Sequence, residues 1–349
     1  MKTFQYRIKD SIIAKELDKL ASKVNFVWNF CVETQRWARS RRRKFCSAID
    51  LKNLCAGSSK ELELNSVVIQ ATCERFSESS LQHRKICRFR SYKRNLGWIP
   101  FKANCININD DTIMFNKLEF RFWKSQELKG KILCGNFSQD SFGHWFINIV
   151  TDYQADIYCG DNEVGIDLGS SHLLTLSNGD KIDNPRYYRK YEAKLQKAQK
   201  GNKKKRVKRL HAKIKNSRKD YIHKITTKIA DENKLIVVGD ICSKKLAKTK
   251  MAKSTNDASW FLIKTLLRYK AIERGGECLV VNEAYTTRTC HVCKEVSNNS
   301  PKGFSGLNIR EWQCECGAIH DRDVNSALNI LRIGHDTQLN KRKTNNGNK

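Results

Sequence analysis

Two short cysteine pairs, Cys290/Cys293 and Cys314/Cys316, stand near the end of the sequence with twenty residues between them. Paired thiols on either side of a loop suit tetrahedral Zn²⁺, because each pair supplies one edge of the tetrahedron. The second pair has one intervening residue in place of the usual two, and His320 follows it as a donor that could replace a ligand. Zinc bound here would be structural and closed. Asp321 and Asp323 come next, at the start of the helix-like stretch DRDVNSALNIL. Asp321 reads as the helix N-cap, and Asp323 as a carboxylate held at the helix mouth. A further acid, Asp167, lies inside the apolar run VGIDLG. An aspartate in a buried strand needs a metal or a partner. Such carboxylates, brought together, can hold the Mg²⁺ ions that activate water for in-line attack on phosphorus.

The elements that must position these groups follow from periodicity. Residues 3–8 predict a short strand. Ile13, Leu17, Leu20, Val24, Val27 and Cys31 then recur at alternating spacings of four and three, one apolar face of a helix that ends in the basic run RSRRRK. A second stretch places Val68, Ile69, Thr72, Cys73 and Phe76 on one side, so residues 11–90 predict a small helical bundle. From 98 to 150 the period changes to two. CININ, TIMF, LEFRFW, KILCGNF and HWFINIV are separated by turn residues at 109–111 and 141–143, the pattern of a small β-barrel with the bundle inserted after its first strand. Trp98, Phe101 and Trp145 are either barrel core or platforms for stacked bases.

Beyond Glu163, VGIDLG, HLLTLS and the segment from Lys181 predict three strands, with Asn178-Gly179 as a hairpin turn. The stretch 186–228 is helical and densely basic, with a break at Gly201-Asn202. Lys203, Lys204, Lys205, Arg206 and Arg218 are its candidate phosphate contacts. LIVVGDI predicts a buried strand. A helix capped by Asn256 or Asp257 and ending at Gly275-Gly276 follows, then the buried strand ECLVVNE. The residues after Gly334 are polar and predict a disordered tail. Three antiparallel strands followed by helix, strand, helix, strand and helix is the order of an α/β RNase H-like fold.

Composition narrows the class. The 349 residues carry 66 Lys and Arg against 36 Asp and Glu, a formal charge of +30. Polyphosphate is the expected partner, with a merely basic, ribosome-like protein as the plain alternative. The 40% hydrophobic content supports a folded chain. The N-terminus MKTFQYRIKD lacks the apolar segment of a signal peptide, and no apolar run is long enough to span a membrane. The remaining cysteines of the fourteen are scattered singly and read as buried thiols of a reducing cytoplasm.

Taken in order, GWIPF, GIDLG, KIKNSRKDYIHK (with Asn216, Arg218, Asp220 and His223), YTTRTCHVC and CECGAIHDRDVNSALNI resemble TnpB, the transposon-encoded RNA-guided nucleases related to type V CRISPR effectors. The resemblance covers most of residues 90–333, and the first third agrees in layout only. It implies a RuvC-like nuclease domain at 159–285 and 318–334 with an inserted zinc ribbon at 286–317 that binds target nucleic acid. It also implies a wedge β-barrel at 1–10 and 91–158, carrying a helical recognition insert at 11–90, with the tail at 335–349. Its partners would be a guide RNA from the transposon end and target DNA, in a prokaryote-like, nucleoid-associated setting. The catalytic ions would be Mg²⁺ on Asp167, Asp323 and a third acid. The family usually has a glutamate at the end of the strand LIVVGDI, where this sequence has Gly239 followed by Asp240. Glu283 ends the neighbouring strand and could reach across one strand spacing of about 5 Å. Asp240 is the other candidate, and a chain with neither would be an RNA-guided repressor. An RNA-independent transposase is a third reading.

Overall fold

The computed structural model describes residues 1–91, 93–153, 158–169, 172–241, 258–302 and 305–346. The chain divides into two units, Met1–Gln154 and Ala155–Lys349.

In the first unit, strands β1 (Lys2–Ile8), β2 (Trp98–Lys102), β3 (Ile106–Asn109), β4 (Thr112–Phe115), β5 (Leu118–Trp123), β6 (Ile132–Gln139) and β7 (Trp145–Thr151) form one antiparallel sheet in the order β2-β6-β7-β1-β5-β4-β3. β2 and β3 stand at opposite ends of that order, yet only the turn Ala103–Cys105 separates them in sequence. Three residues reach about 10 Å at most, so the sheet curls until its ends approach, and the expected barrel results. Phe101, Phe115, Phe120 and Phe137 fill it, with ring centroids 4.9 to 6.2 Å apart. Phe101 and Trp145 are 1% and 3% exposed, so neither can serve as a base platform. Trp145 Nε1 donates to Asp18 instead. Trp98 is half-buried and packs edge-on to Trp28.

Between β1 and β2 lie α1 (Glu16–Ser40), α2 (Ala48–Leu54) and α3 (Ser66–His83). α1 buries Leu17, Leu20, Val24, Val27 and Cys31, and α3 buries all five residues of its expected stripe. Ile13 is 44% exposed, because it lies in a separate turn ahead of α1. The short α2 is additional to the sequence reading. A capping box between Ser47 and Asp50 starts it, and Leu51 is its buried anchor.

The second unit begins with β8 (Asn162–Leu168), β9 (His172–Leu176) and β10 (Lys181–Asp183), followed by α4 (Tyr187–Lys200), α5 (Lys204–Glu232) and β11 (Asn233–Gly239). α6 (Trp260–Glu273), β12 (Glu277–Val281), the hairpin β13 (Glu311–Gln313) with β14 (Ile319–Asp321), and α7 (Arg322–Asn346) complete it. The proposed caps of α6, Asn256 and Asp257, lie outside the described residues. The main sheet runs β10-β9-β8-β11-β12, antiparallel on the β9 side and parallel from β8 through β12. Successive side chains of a strand point to opposite faces. Ile236 and Val238 accordingly pack with Ile222, Ile229, Ile263 and Leu267 of α5 and α6, whereas Leu235 and Val237 pack with Ile330 of α7. A sheet covered on both sides explains the unbroken apolar run LIVVG.

The segment after Gly334, expected to be disordered, continues α7 as far as Asn346. His335 bonds Glu163 at 2.7 Å and Gln338 bonds Glu277 at 2.6 Å, which ties this polar half of the helix to the starts of β8 and β12. Its polarity therefore serves contacts to strand ends. Among the described residues, no helix is long and apolar enough to cross a membrane.

Candidate active site and thiol cluster

Parallel pairing sets Val238 against Ile166 and Gly239 against Val281. The residues that end β8, β11 and β12 therefore gather at one edge of the sheet, where α/β sheets place their ligands. Asp167 arrives there on β8 and Glu283 just beyond β12. α7 can lie directly on β8 because Gly165 has no side chain: a Cβ there would come within 2.0 Å of Ala327 O. That close approach brings Asp323, one turn earlier on α7, into the electrostatic neighbourhood of Asp167.

Asp167 accepts a hydrogen bond from Ser326 Oγ at 3.0 Å. Burial, with the like charges of Asp323 and Glu283, pushes its carboxyl up to about 7. Glu283 is also raised by burial, against the opposing pull of Lys264. Its Oε2 lies 2.7 Å from where a Cβ on Gly239 would stand. Asp240 turns elsewhere, pairing with Lys264 Nζ at 2.6 Å with a mostly exposed side chain. Asp323 and Glu283 thus both act on Asp167, while Asp240 acts on Glu283.

Asp321 is the N-cap expected: its Oδ1 accepts the N–H groups of Asp323 and Val324, both at 3.0 Å. Burial opposes its ionisation, yet the Lys181 ammonium and those amides hold its carboxyl below the ordinary value. Asp323 pairs with Arg310 at 3.1 Å, a residue the sequence reading missed. Its signal was indirect. The hairpin sets Glu311 opposite Asp321, so Arg310 falls beside Asp323 only once β13 and β14 are recognised as partners.

The NSALN segment also acquires a reason. Asn325 and Asn329, each 1% exposed, both donate to Thr286 O and Thr289 O. Thr286 Oγ1 in turn meets Ser326 Oγ at 3.0 Å. These bonds clamp the YTTRTC loop, in which Tyr285 holds the strained left-handed φ of 65°, onto the helix that carries Asp323.

That loop leads into the thiols. The sulfurs of Cys290, Cys293, Cys314 and Cys316 all lie within 4.8 Å of one another. The Cys290–Cys316 and Cys293–Cys314 separations are both 3.7 Å, close to the edge of about 3.8 Å that Zn–S bonds of 2.3 Å give a tetrahedron. The one-residue spacing is accommodated by a hairpin turn in which Cys314 N–H bonds Ala318 O and Gly317 N–H bonds Cys314 O. The backbone amide of Cys316 helps draw the Cys314 thiol down to about 7, toward the thiolate that a metal requires. His320 replaces none of the four. Its Nε2 lies 3.0 Å from Cys290 Sγ, and its ring packs between His291 and Trp312.

Lys203, Lys204, Lys205 and Arg206 are exposed at the start of α5 and, with Asn202 and Arg209, line a shallow cavity of about 720 Å³. Arg218 differs from them: it is half-buried and donates to Ser259 Oγ, ahead of α6.

The fold is of the TnpB/Cas12 type. A chain in the cryo-EM structure of a Cas12f1–sgRNA–target DNA complex superposes with a TM-score of 0.63 at 14% identity, over 91% of this chain and 82% of that one. Residues 159–250 match the family described as "Probable transposase", and residues 260–330 the one described as "Cas12f1-like, TNB domain". A Streptomyces pristinaespiralis protein named "Putative RNA-guided DNA endonuclease" is 30% identical over 92% of this chain and 86% of its own length. InsQ of Escherichia coli K12, which bears the same description, is 29% identical over 62% of this chain and 60% of its own. TnpB-like protein L79 of Acanthamoeba polyphaga mimivirus is 26% identical over 37% of this chain and 25% of its own. The chain belongs to the TnpB family.

Proposed function

We propose that this chain is a transposon-encoded, RNA-guided DNA endonuclease. Its second unit would be a RuvC-like, RNase H-type nuclease with an inserted zinc ribbon. The first would be a wedge barrel carrying a helical recognition insert. The observation that carries the reading is the grouping of Asp167, Glu283 and Asp323 at one sheet edge, with Asp167 raised by burial and by its like-charged neighbours. A buried carboxylate whose ionisation two neighbouring acids disfavour, all hard oxygen donors, fits a divalent cation such as Mg²⁺. When bound, Mg²⁺ would supply activation of water and stabilisation of the leaving oxygen. Ser326 holds Asp167 in place, and the Asn325/Asn329 clamp fixes α7 and with it Asp323. Arg310 offers positive charge at the same edge for a scissile phosphate. Sequence reading would fall to base pairing with a guide RNA, whose heteroduplex backbone the exposed basic start of α5 suits. The relatives named as RNA-guided DNA endonucleases support this assignment.

Gly239 favours a second reading, a guided DNA-binding protein that does not cut. The two separate in one assay, with the chain purified together with its RNA and given guided target DNA. Cleavage with Mg²⁺ that is lost in Asp167→Ala, Glu283→Ala and Asp323→Ala, with guided binding kept, supports the nuclease. Binding without cleavage in either Mg²⁺ or Mn²⁺ supports the repressor. Cleavage that survives removal of the RNA would exclude both.

A further inference from the structure

Three thiols meet inside the helical part of the first unit. Cys31 lies on α1, Cys55 at the C-cap of α2, and Cys73 in the middle of α3. Cys31 donates to Cys73 with the sulfurs 3.9 Å apart, and Cys73 donates to Cys55 at 3.8 Å. Cys73 is therefore the thiol that both of the others meet. All three are free thiols. Cys31 and Cys73 are fully buried, and Cys55 is partly exposed, so the cluster has one accessible corner.

We propose that Cys31, Cys55 and Cys73 form a second thiolate metal site, one that takes a single thiophilic ion of the Cu(I) class in trigonal coordination. The spacing is the first argument. Metal–sulfur bonds of about 2.3 Å put the sulfurs of a trigonal site about 4 Å apart. The Cys31–Cys73 and Cys73–Cys55 separations of 3.9 and 3.8 Å already meet that on two of the three edges, and binding would draw Cys31 and Cys55 together on the third. The donor set is the second. The groups that act most on these thiols are one another and the Lys52 ammonium, which is itself paired with Glu74. Three sulfurs without a fourth protein ligand suit a soft three-coordinate ion, whereas a closed structural zinc site uses four. Charge is the third. Loading breaks three S–H bonds, forms three metal–sulfur bonds and releases three protons to solvent, with no change of oxidation state. The complex then carries two negative charges beside the Lys52–Glu74 ion pair. The ion would add to Leu51 and the Lys52–Glu74 pair in joining the seven-residue α2 to the two long helices. The plain alternative is that the thiols are small apolar side chains of a helical core. This inference does not rest on the nuclease reading.

The test uses the full-length, zinc-loaded, reduced chain under anaerobic conditions, with Cu(I) supplied from a bicinchoninate buffer. The expected result is uptake of one Cu(I) per chain with no zinc released, and a rise in thermal midpoint. Cys55→Ser, chosen because that thiol is at a helix end and partly exposed, should lose both effects while it keeps its zinc. Cys73→Ala should behave the same way, and Cys290→Ser should retain the uptake. Equal Cu(I) uptake by the parent and Cys55→Ser, or uptake that only displaces zinc, would overturn the assignment.

Discussion

The carboxylate of Glu283 occupies the space that a side chain on Gly239 would need, with Oε2 2.7 Å from the position of the absent Cβ. Glycine on one strand and glutamate beyond the next are thus two halves of one arrangement. Gly239→Ala alone should push Glu283 aside and slow guided cleavage despite its small size. Glu283→Ala should slow it on the order of 10²-fold or more. Restoring the acid from the other strand, in the double variant Gly239→Glu/Glu283→Ala, should recover part of the rate. If Glu283→Ala cuts normally and Asp240→Ala does not, the third carboxylate is Asp240.

Asp167 predicts how the Mg²⁺-free protein responds to pH. Its carboxyl is pushed from 3.8 to about 7 in the folded chain. Across that window the native state holds a proton that the unfolded state has released, so stability falls as pH rises and levels off above about 7. Asp167→Asn should remove this slope and leave the Mg²⁺-free variant more stable than the parent near pH 8, by up to about 4 kcal/mol. The two should converge at acid pH. Urea unfolding of the zinc-loaded proteins at several pH values checks this, and a constant offset between the curves would mean that the carboxyl is already ionised at acid pH.

Asn329 donates to Thr286 O, Thr289 O and Asn325 O from one buried amide. Asn329→Ala should destabilise the chain by about 1–3 kcal/mol, because buried carbonyls lose a partner. Zinc content and guided binding should be kept, while cleavage falls. A cleavage rate equal to the parent's would show that the clamp has no bearing on the carboxylates.

The basic start of α5 is separable from all of this. Replacing Lys203, Lys204, Lys205 and Arg206 together with Gln should weaken RNA or heteroduplex binding and flatten its dependence on salt, by up to about one unit of log–log slope per lost phosphate contact. A slope unchanged from the parent would identify the run as a solvated helix end.

Much of this site could be read from the sequence because its signals are local. The cysteine pairs, the lone acid in VGIDLG and the cap at Asp321 each lie within a few residues of what they act on. The stripe on α3 was legible for the same reason, since helical period alone fixes which face is buried. What escaped notice depends on distant pairing. Arg310 meets Asp323 only through the β13–β14 hairpin, and the asparagines of NSALN find their acceptors some forty residues away. Phe101 and Trp145 could not be sorted between core and surface until the order of strands closed the barrel around them. The end of α7 misled for a different reason. A helix held by two polar contacts to strand ends has the same composition as a chain held by nothing.

The bond between Arg310 and Asp323 has a thermodynamic corollary. It joins the residue before the hairpin that bears Cys314 and Cys316 to one of the carboxylates, so under the proposed function zinc on the thiols and a divalent ion on the carboxylates would share one equilibrium. Coupling of that kind is reciprocal. Whatever factor by which zinc on the thiols changes the affinity of the carboxylates for a divalent ion, that ion must change the hold on zinc by the same factor. Arg310 is the residue through which the exchange would pass, and its replacement should uncouple the two affinities while leaving each site able to bind.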